Sequence, residues 1–310
     1  MKSLAIVIPY YKKKYFDKTI SSIAQQTCKD FTLYIGDDAS IDSPKEIIDK
    51  YKDQIDIVYH RFEYNLGGND LVSQWERCIE LTKGEDWIWL FSDDDSMDEK
   101  CVEDFHDAIN QYINSFLLYR FTKHSLNIKN GDNILSTYKN GITPFDVFLM
   151  DCLDFTANGV TMPEFIFHRN LFETIGIINC PMAWGSDKIT WLEYAYKSGN
   201  VFNLNSIVHV TYSYVNISGN KSKKMVDHKT DIEIKNAQYI DSLLKRIKDK
   251  YPQMDISHIR SMYLDKILYK MKIFPFYKRL FYIKFVFPFI DDINSIKMVL
   301  TNLFNKKQEI

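Results

Sequence analysis

For the first 125 residues, short apolar runs take turns with stretches whose apolar residues recur at helical spacing. Leu4–Ile8, Phe31–Ile35, Ile55–Phe62, Trp87–Phe91 and Phe116–Phe121 read as buried strands. Between them lie Phe16, Ile20, Ile23 and Ala24, then Leu71, Trp75, Cys78 and Ile79, then Val102, Phe105, Ile109 and Tyr112. Each set forms one face of a helix. Ser43-Pro44-Lys45-Glu46 reads as a capping box opening a further helix to about Gln54. Strand and helix in alternation imply an α/β fold, with a mostly parallel central sheet and helices on both faces.

Beyond residue 125 the pattern loosens. Asn130-Gly131 suggests a hairpin turn, Thr143-Pro144 a short helix, Met162–His168 a strand, Asp187 to Gly199 a helix and Ile207–Val215 a strand. From about Asn220 the chain is Lys-rich and helical, with Ile240, Leu243, Leu244 and Ile247 on one face. The expected division is a catalytic domain over 1–220, with halves 1–125 and 126–220, and a helical extension over 221–310. A formal charge of −2 argues against a dedicated nucleic-acid binder. Five scattered cysteines without metal-ligand spacing read as reduced, mostly buried thiols. The Leu4–Ile8 run is too short for a signal-peptide core, and a cytoplasmic location is expected.

Carboxylates stand where open α/β sheets bind ligands, at the ends of the second and fourth strands: Asp37-Asp38 and Asp93-Asp94-Asp95. Asp187 opens a late helix. Three adjacent carboxylates repel one another, and Mg²⁺ or Mn²⁺ relieves that repulsion. A solvated acidic turn is the plain alternative.

Ile6-Val7-Ile8-Pro9-Tyr10-Tyr11, Ser21-Ser22-Ile23 with Gln25-Gln26-Thr27, and Gly36-Asp37-Asp38-Ala39-Ser40 resemble the opening of family 2 glycosyltransferases. Asn65-Leu66-Gly67 and Gly84-Glu85-Asp86-Trp87-Ile88 into Phe91-Ser92-Asp93-Asp94-Asp95 resemble the following blocks, in order. The resemblance implies a GT-A fold and an inverting, metal-dependent, hexosyltransferase-type enzyme. Its donor would be a nucleoside-diphosphate sugar, UDP-linked by preference. Its acceptor would be a glycan or lipid-linked hydroxyl in surface polysaccharide biosynthesis. By position, Pro9, Tyr11, Asp38, Asn65 and Gly67 would line the nucleoside pocket, with Asp38 accepting from the base edge. Asp93 would border the ribose and Asp94 ligate Mn²⁺ or Mg²⁺; a register shifted by one makes Asp93 and Asp95 the working pair. Asp187 would be the general base, with an N-terminal helix cap as the competing role. His209 reads as a hydrogen-bonded core histidine, with reach to the metal as the alternative, and His168-Arg169 as either a phosphate or acceptor contact or plain surface.

Two other functions compete. A catalytically silent scaffold of a polysaccharide assembly complex would have no need of Asp38, Asp94 and Asp187 together. A sugar-phosphate nucleotidyltransferase would need a glycine-rich loop after the first strand, where Pro9-Tyr10-Tyr11 stands. From Lys270 to Ile290 aromatic rings alternate with Lys270, Lys272, Lys278, Arg279 and Lys284, without an acid. Such a segment suits peripheral contact with an anionic inner leaflet; rings packed back on the protein are the alternative.

Overall fold

The computed structural model describes residues 3–112, 115–127, 131–136, 138–156, 159–212 and 219–304. The chain divides into two compact units, 1–218 and 219–310.

In the first unit, strand β1 (Leu4–Tyr10) is followed by helix α1 (Phe16–Ala24), β2 (Phe31–Asp37), α2 (Lys45–Tyr51), β3 (Ile57–Arg61) and α3 (Leu71–Ile79). Then come β4 (Trp87–Leu90), the short β5 (Ser96–Met97), α4 (Cys101–Gln111), β6 (Leu118–Asn127), β7 (Asn133–Ser136) and β8 (Gly141–Pro144). The unit continues with α5 (Phe145–Cys152), a 3₁₀ turn at Met162–Glu164, β9 (Phe165–His168), α6 (Arg169–Ile175), α7 (Ser186–Ser198) and β10 (Asn200–Tyr212). The strands form one sheet in the order β3-β2-β1-β4-β9-β6-β10-β5, with β7 beside β6 and β8 beside β10.

The half around β1 is parallel, as the alternation of strand and helix demands: β1 pairs with β2 and β4, and β2 with β3. The other half is mixed. β9 runs antiparallel to both β4 and β6, while β6 and β10 are parallel. The expected strand at 162–168 begins only at Phe165, because Met162–Glu164 closes a capping box between Thr161 and Glu164. At Ser43 the expected box does not form: α2 opens at Lys45 without a side-chain cap. β6 and β7 make an antiparallel pair, and Gly131 has the positive φ of a tight turn; Asn130 and Val215, parts of two expected elements, lie outside the described residues.

The core is aromatic. Trp89 is fully buried, stacks on Phe121 at 4.6 Å and donates its indole N–H to the Pro163 carbonyl at 2.8 Å. Trp87 packs edge-on against Phe105 and Tyr119. A deeper layer is ionic. Arg120, fully buried, bonds Asp151, Glu164, the Tyr138 hydroxyl and the Gly159 carbonyl, and Lys123 bonds Glu164 and the same carbonyl. Removing one partner from such a set costs about 3–5 kcal/mol, because an uncompensated charge stays behind. All five cysteines are free thiols, and Cys28 alone is not buried.

The second unit is helical: α8 (Lys223–Lys235), α9 (Ala237–Lys250), α10 (Ile256–Met271), α11 (Phe276–Val286) and α12 (Ile293–Phe304). The expected face of α9, Ile240, Leu243, Leu244 and Ile247, is buried. The basic, aromatic segment splits in two. Phe274, Tyr282, Val286 and Phe289 turn inward, whereas Phe276, Tyr277, Leu280, Phe281 and Phe287 are exposed. Arg279, expected among the outward cations, is buried and donates to the carbonyls of Phe274, Lys272 and Asn302. Lys270 pairs with Glu233. Lys278 and Lys284 lie over the rings of Phe274 and Phe281 at 3.9 and 4.1 Å. Among the described residues no helix is long and apolar enough to cross a membrane.

The tightest constraint on β2 is at Gly36, where a Cβ would lie 2.3 Å from the Cys78 sulfur and 3.1 Å from the Phe62 ring. Gly36→Ala should therefore destabilise the protein by about 1–3 kcal/mol, measured by chemical denaturation. Adding Cys78→Ala should recover most of that loss.

Candidate active site

The exits of β1, β2 and β4 lie side by side, because these strands are parallel neighbours in register. Aspartates tie the exits together. The Asp93 carboxylate, through one oxygen, accepts the backbone amides of Tyr11 and Lys12, each at 2.8 Å. Burial raises its pKa, and the two amides oppose that shift. Asp95 points inward, accepts from the Thr211 amide at 2.7 Å and receives the Ser92 hydroxyl. Burial, followed by the charge of Asp94, pushes its carboxyl well above the usual range. Asp93 and Asp94 are both half-buried, whereas Asp95 is buried.

Neighbouring elements hold this loop from below. The Thr19 hydroxyl of α1 donates to the Asp95 carbonyl at 2.7 Å. Gln26 donates to the Asp98 carbonyl and accepts from the Val102 amide, and the Thr27 amide donates to the Glu99 carbonyl. Gln26 and Thr27 of the Gln25-Gln26-Thr27 block thus serve the loop that follows the triplet, while Gln25 bonds Ser21 of α1.

Asp38 has four donors. Leu66 N–H and Arg77 meet one oxygen, at 2.7 and 2.5 Å; Asn65 Nδ2 and Gly67 N–H meet the other, at 2.7 and 2.9 Å. A carboxylate offers about four acceptor directions, so these occupy it. Asp38 therefore anchors the Asn65–Gly67 loop, and a base-edge contact would have to displace one of its present donors. Gly67 does not have a positive φ; a Cβ there would stand 2.8 Å from the Asp38 carboxylate, so close approach explains the glycine. The Asp37 carboxyl is lowered despite its burial, by bonds from Tyr59, Ser40 and Arg61. Pro9 is half-buried, and Tyr11 is 43% exposed beside this group.

Arg77 escaped the sequence reading, as did Gln74. The helix face read as Leu71, Trp75, Cys78 and Ile79 is rotated: Val72, Gln74, Cys78 and Ile79 are buried. Gln74 accepts from Arg77, whose guanidinium also bonds the Tyr64 carbonyl and lies 3.8 Å over the Phe62 ring. The available signal was a polar pair at i, i+3 on the inner side of an amphipathic helix.

Asp187 lies in the first turn of α7, after Gly185 at φ 89°. One carboxylate oxygen accepts the Lys188 amide at 2.8 Å. Burial raises its pKa to about 6, against the opposing effect of Lys188. The Lys188 ammonium pairs with Asp154 at 2.5 Å. Gly185 is the residue capping the helix, so Asp187 does not fill that place. His168 accepts from the Asn170 amide, and Arg169 bonds the Glu85 carbonyl and the Thr82 hydroxyl, so both serve local structure. His209 bonds Asp98 and His124. Among the described residues no three His, Cys, Asp or Glu side chains are placed to hold a metal ion by themselves.

The profile of "Glycosyl transferase family 2" matches residues 5–176. The chain belongs to glycosyltransferase family 2. The poly(ribitol-phosphate) beta-N-acetylglucosaminyltransferases TarS of Staphylococcus aureus strains Mu50 and MW2 are each 28% identical to it over 123 residues. That stretch is 39% of this chain and 21% of the TarS sequences, so the match covers about a fifth of those relatives. Among solved structures, S. aureus TarS 1-349 with UDP-GlcNAc superposes with a TM-score of 0.61 at 14% identity, over 97% of this chain and 79% of that one. The same protein with UDP gives 0.55 at 15% identity, over 96% and 90%. The GT-A fold that the family motifs imply is thereby met.

Proposed function

We propose that this family 2 glycosyltransferase is an inverting, hexosyltransferase-type enzyme using a UDP-linked sugar. Its acceptor is a glycan or lipid-linked hydroxyl in surface polysaccharide assembly. Asp187 carries the proposal. Its carboxylate has one oxygen fixed by a backbone amide and a pKa raised to about 6, the character of a general base. The other oxygen takes the proton from the acceptor hydroxyl as that hydroxyl attacks the anomeric carbon opposite the diphosphate. One displacement inverts the configuration. The TarS relatives support the donor class, since their structures hold UDP-GlcNAc and UDP.

The residues present fit a divalent cation of the Mn²⁺ or Mg²⁺ type. Such ions are commonly held by one or two carboxylates together with substrate phosphates, and need no cage of three protein ligands. Asp94 suits this place better than Asp95, which is turned inward onto Thr211 and Ser92. Bound there with the donor's diphosphate, the ion would supply Lewis-acid stabilisation of the leaving group. The chain's own residues do the rest: Asp93 fixes the first and fourth strand exits together, and Asp38 shapes the Asn65–Gly67 edge of the nucleoside pocket.

The outward side of α11 and α12 supports peripheral membrane contact. Phe276, Tyr277, Leu280 and Phe281 are exposed on α11, and Ile293, Ile296, Leu300 and Phe304 repeat at helical spacing on α12. Lysines stand among the rings of α11, as an anionic leaflet requires. This contact would bring the enzyme to the surface where a lipid-linked acceptor is found.

Asp187→Asn should lower kcat by about 10²–10⁴ while leaving UDP affinity unchanged by calorimetry. Because the base works deprotonated, kcat should fall about tenfold per pH unit below roughly 6 and level off above it. A pH-independent rate from 5 to 8 would remove Asp187 from the proton transfer. EDTA, or Asp94→Ala, should weaken UDP binding by at least about tenfold, or 1.4 kcal/mol. Equal affinity in all three conditions would sink the metal proposal. The full chain should sediment with anionic vesicles at low salt, and Phe276→Ser with Phe281→Ser should abolish this; a wild-type chain left in the supernatant refutes the membrane contact.

A further inference from the structure

His124 on β6 and His209 on β10 are direct neighbours in the parallel register. Their Nδ1 atoms lie 3.1 Å apart, with ring planes inclined by 66°. His209 Nε2 is 2.9 Å from Asp98 Oδ1. A carboxylate in that position holds the imidazole with its proton on Nε2, which leaves Nδ1 as a lone pair. His124 then supplies the Nδ1–H of the histidine–histidine bond. Both rings line an open groove of about 520 Å³, with Asp17, Ser21, Gln25 and Ser96 among its walls.

We propose that His124 and His209 form a two-histidine chelate for a borderline transition-metal cation, of the Ni²⁺, Co²⁺, Cu²⁺ or Zn²⁺ class, seated to one side of the line between the two Nδ1 atoms and displacing the shared proton. Metal–imidazole bonds of about 2.0–2.1 Å across a 3.1 Å nitrogen separation give a bite angle of roughly 95–100°. That suits octahedral or tetragonal coordination. Asp98 completes the carboxylate–histidine–metal arrangement that orients a ligand and raises its basicity. Water in the groove fills the remaining positions. On binding to the neutral pair, the His124 proton moves from Nδ1 to Nε2, so no proton is released. The site differs in kind from the acidic loop, because imidazole nitrogen favours these cations and carboxylate oxygen favours Mg²⁺ and Mn²⁺. It crosslinks β6 to β10, the strand whose Thr211 amide holds Asp95.

The test is calorimetric titration of the untagged full chain with Ni²⁺, in excess Mg²⁺ so that the carboxylates are already occupied. One equivalent should bind, with unchanged affinity in Asp94→Ala and at least tenfold weaker affinity in His124→Ala. His124→Gln, which keeps a polar side chain in the groove, should weaken binding as much. Circular dichroism establishes that each variant is folded. Wild-type affinity in a folded His124→Ala or His124→Gln chain overturns the proposal. So does an absence of Ni²⁺ binding to the wild type, or its loss in Asp94→Ala.

Discussion

One carboxylate accepting two amides from just beyond a neighbouring strand organises the strand exits of the first unit. Asp93 leaves β4 and receives Tyr11 and Lys12 just beyond β1, so the two exits cannot shift independently. Bonds of this kind are charge-assisted and short, about twice as strong as neutral ones. Asp38 repeats the device one strand over, joining the exit of β2 to residues 65–67 and to Arg77 on α3. Two of the aspartates that mark the family in the sequence thus also tie the strand exits together. Their work gives Asp94 a fixed frame.

Environment sorts aspartates that look alike in the sequence. Asp37 ends β2 and Asp93 follows β4, the two strands that flank β1, yet the pKa of one is lowered by Tyr59, Ser40 and Arg61 despite its burial while burial raises the other. Among the described residues Asp187 has a single amide partner, on one oxygen, and its pKa is raised by burial to about 6, where a carboxyl can both lose and regain a proton near neutral pH. A group held by four donors cannot do that work, because every acceptor direction is taken.

The parallel half of the sheet was legible because buried strands announce themselves as unbroken apolar runs, and helices as a period. The direction of β9 was not, since a four-residue strand of Phe165–His168 carries no sign of which neighbour it will oppose. Gln74 and Arg77 were hidden by the assumption that the inner face of an amphipathic helix is apolar. Asn65-Leu66-Gly67 was found as a motif, but the reason for its glycine lies in the distance to a carboxylate 29 positions earlier. In the last 40 residues the composition was informative and the geometry was not. Pro275 and Pro288 bound a helix with two unlike faces, and only the fold shows that Arg279 belongs to the inner one.

The ionic layer around Arg120 bears on how such a protein diverges. Arg120, Lys123, Asp151, Glu164 and Tyr138 share their bonds so fully that no member can be exchanged alone without stranding a charge or a hydroxyl. A lineage in drift would find this layer closed to stepwise change, since every single step passes through a weakened intermediate. The open routes run through positions outside this layer. New specificity in this half of the molecule would accordingly be written at the edges, over a foundation inherited whole.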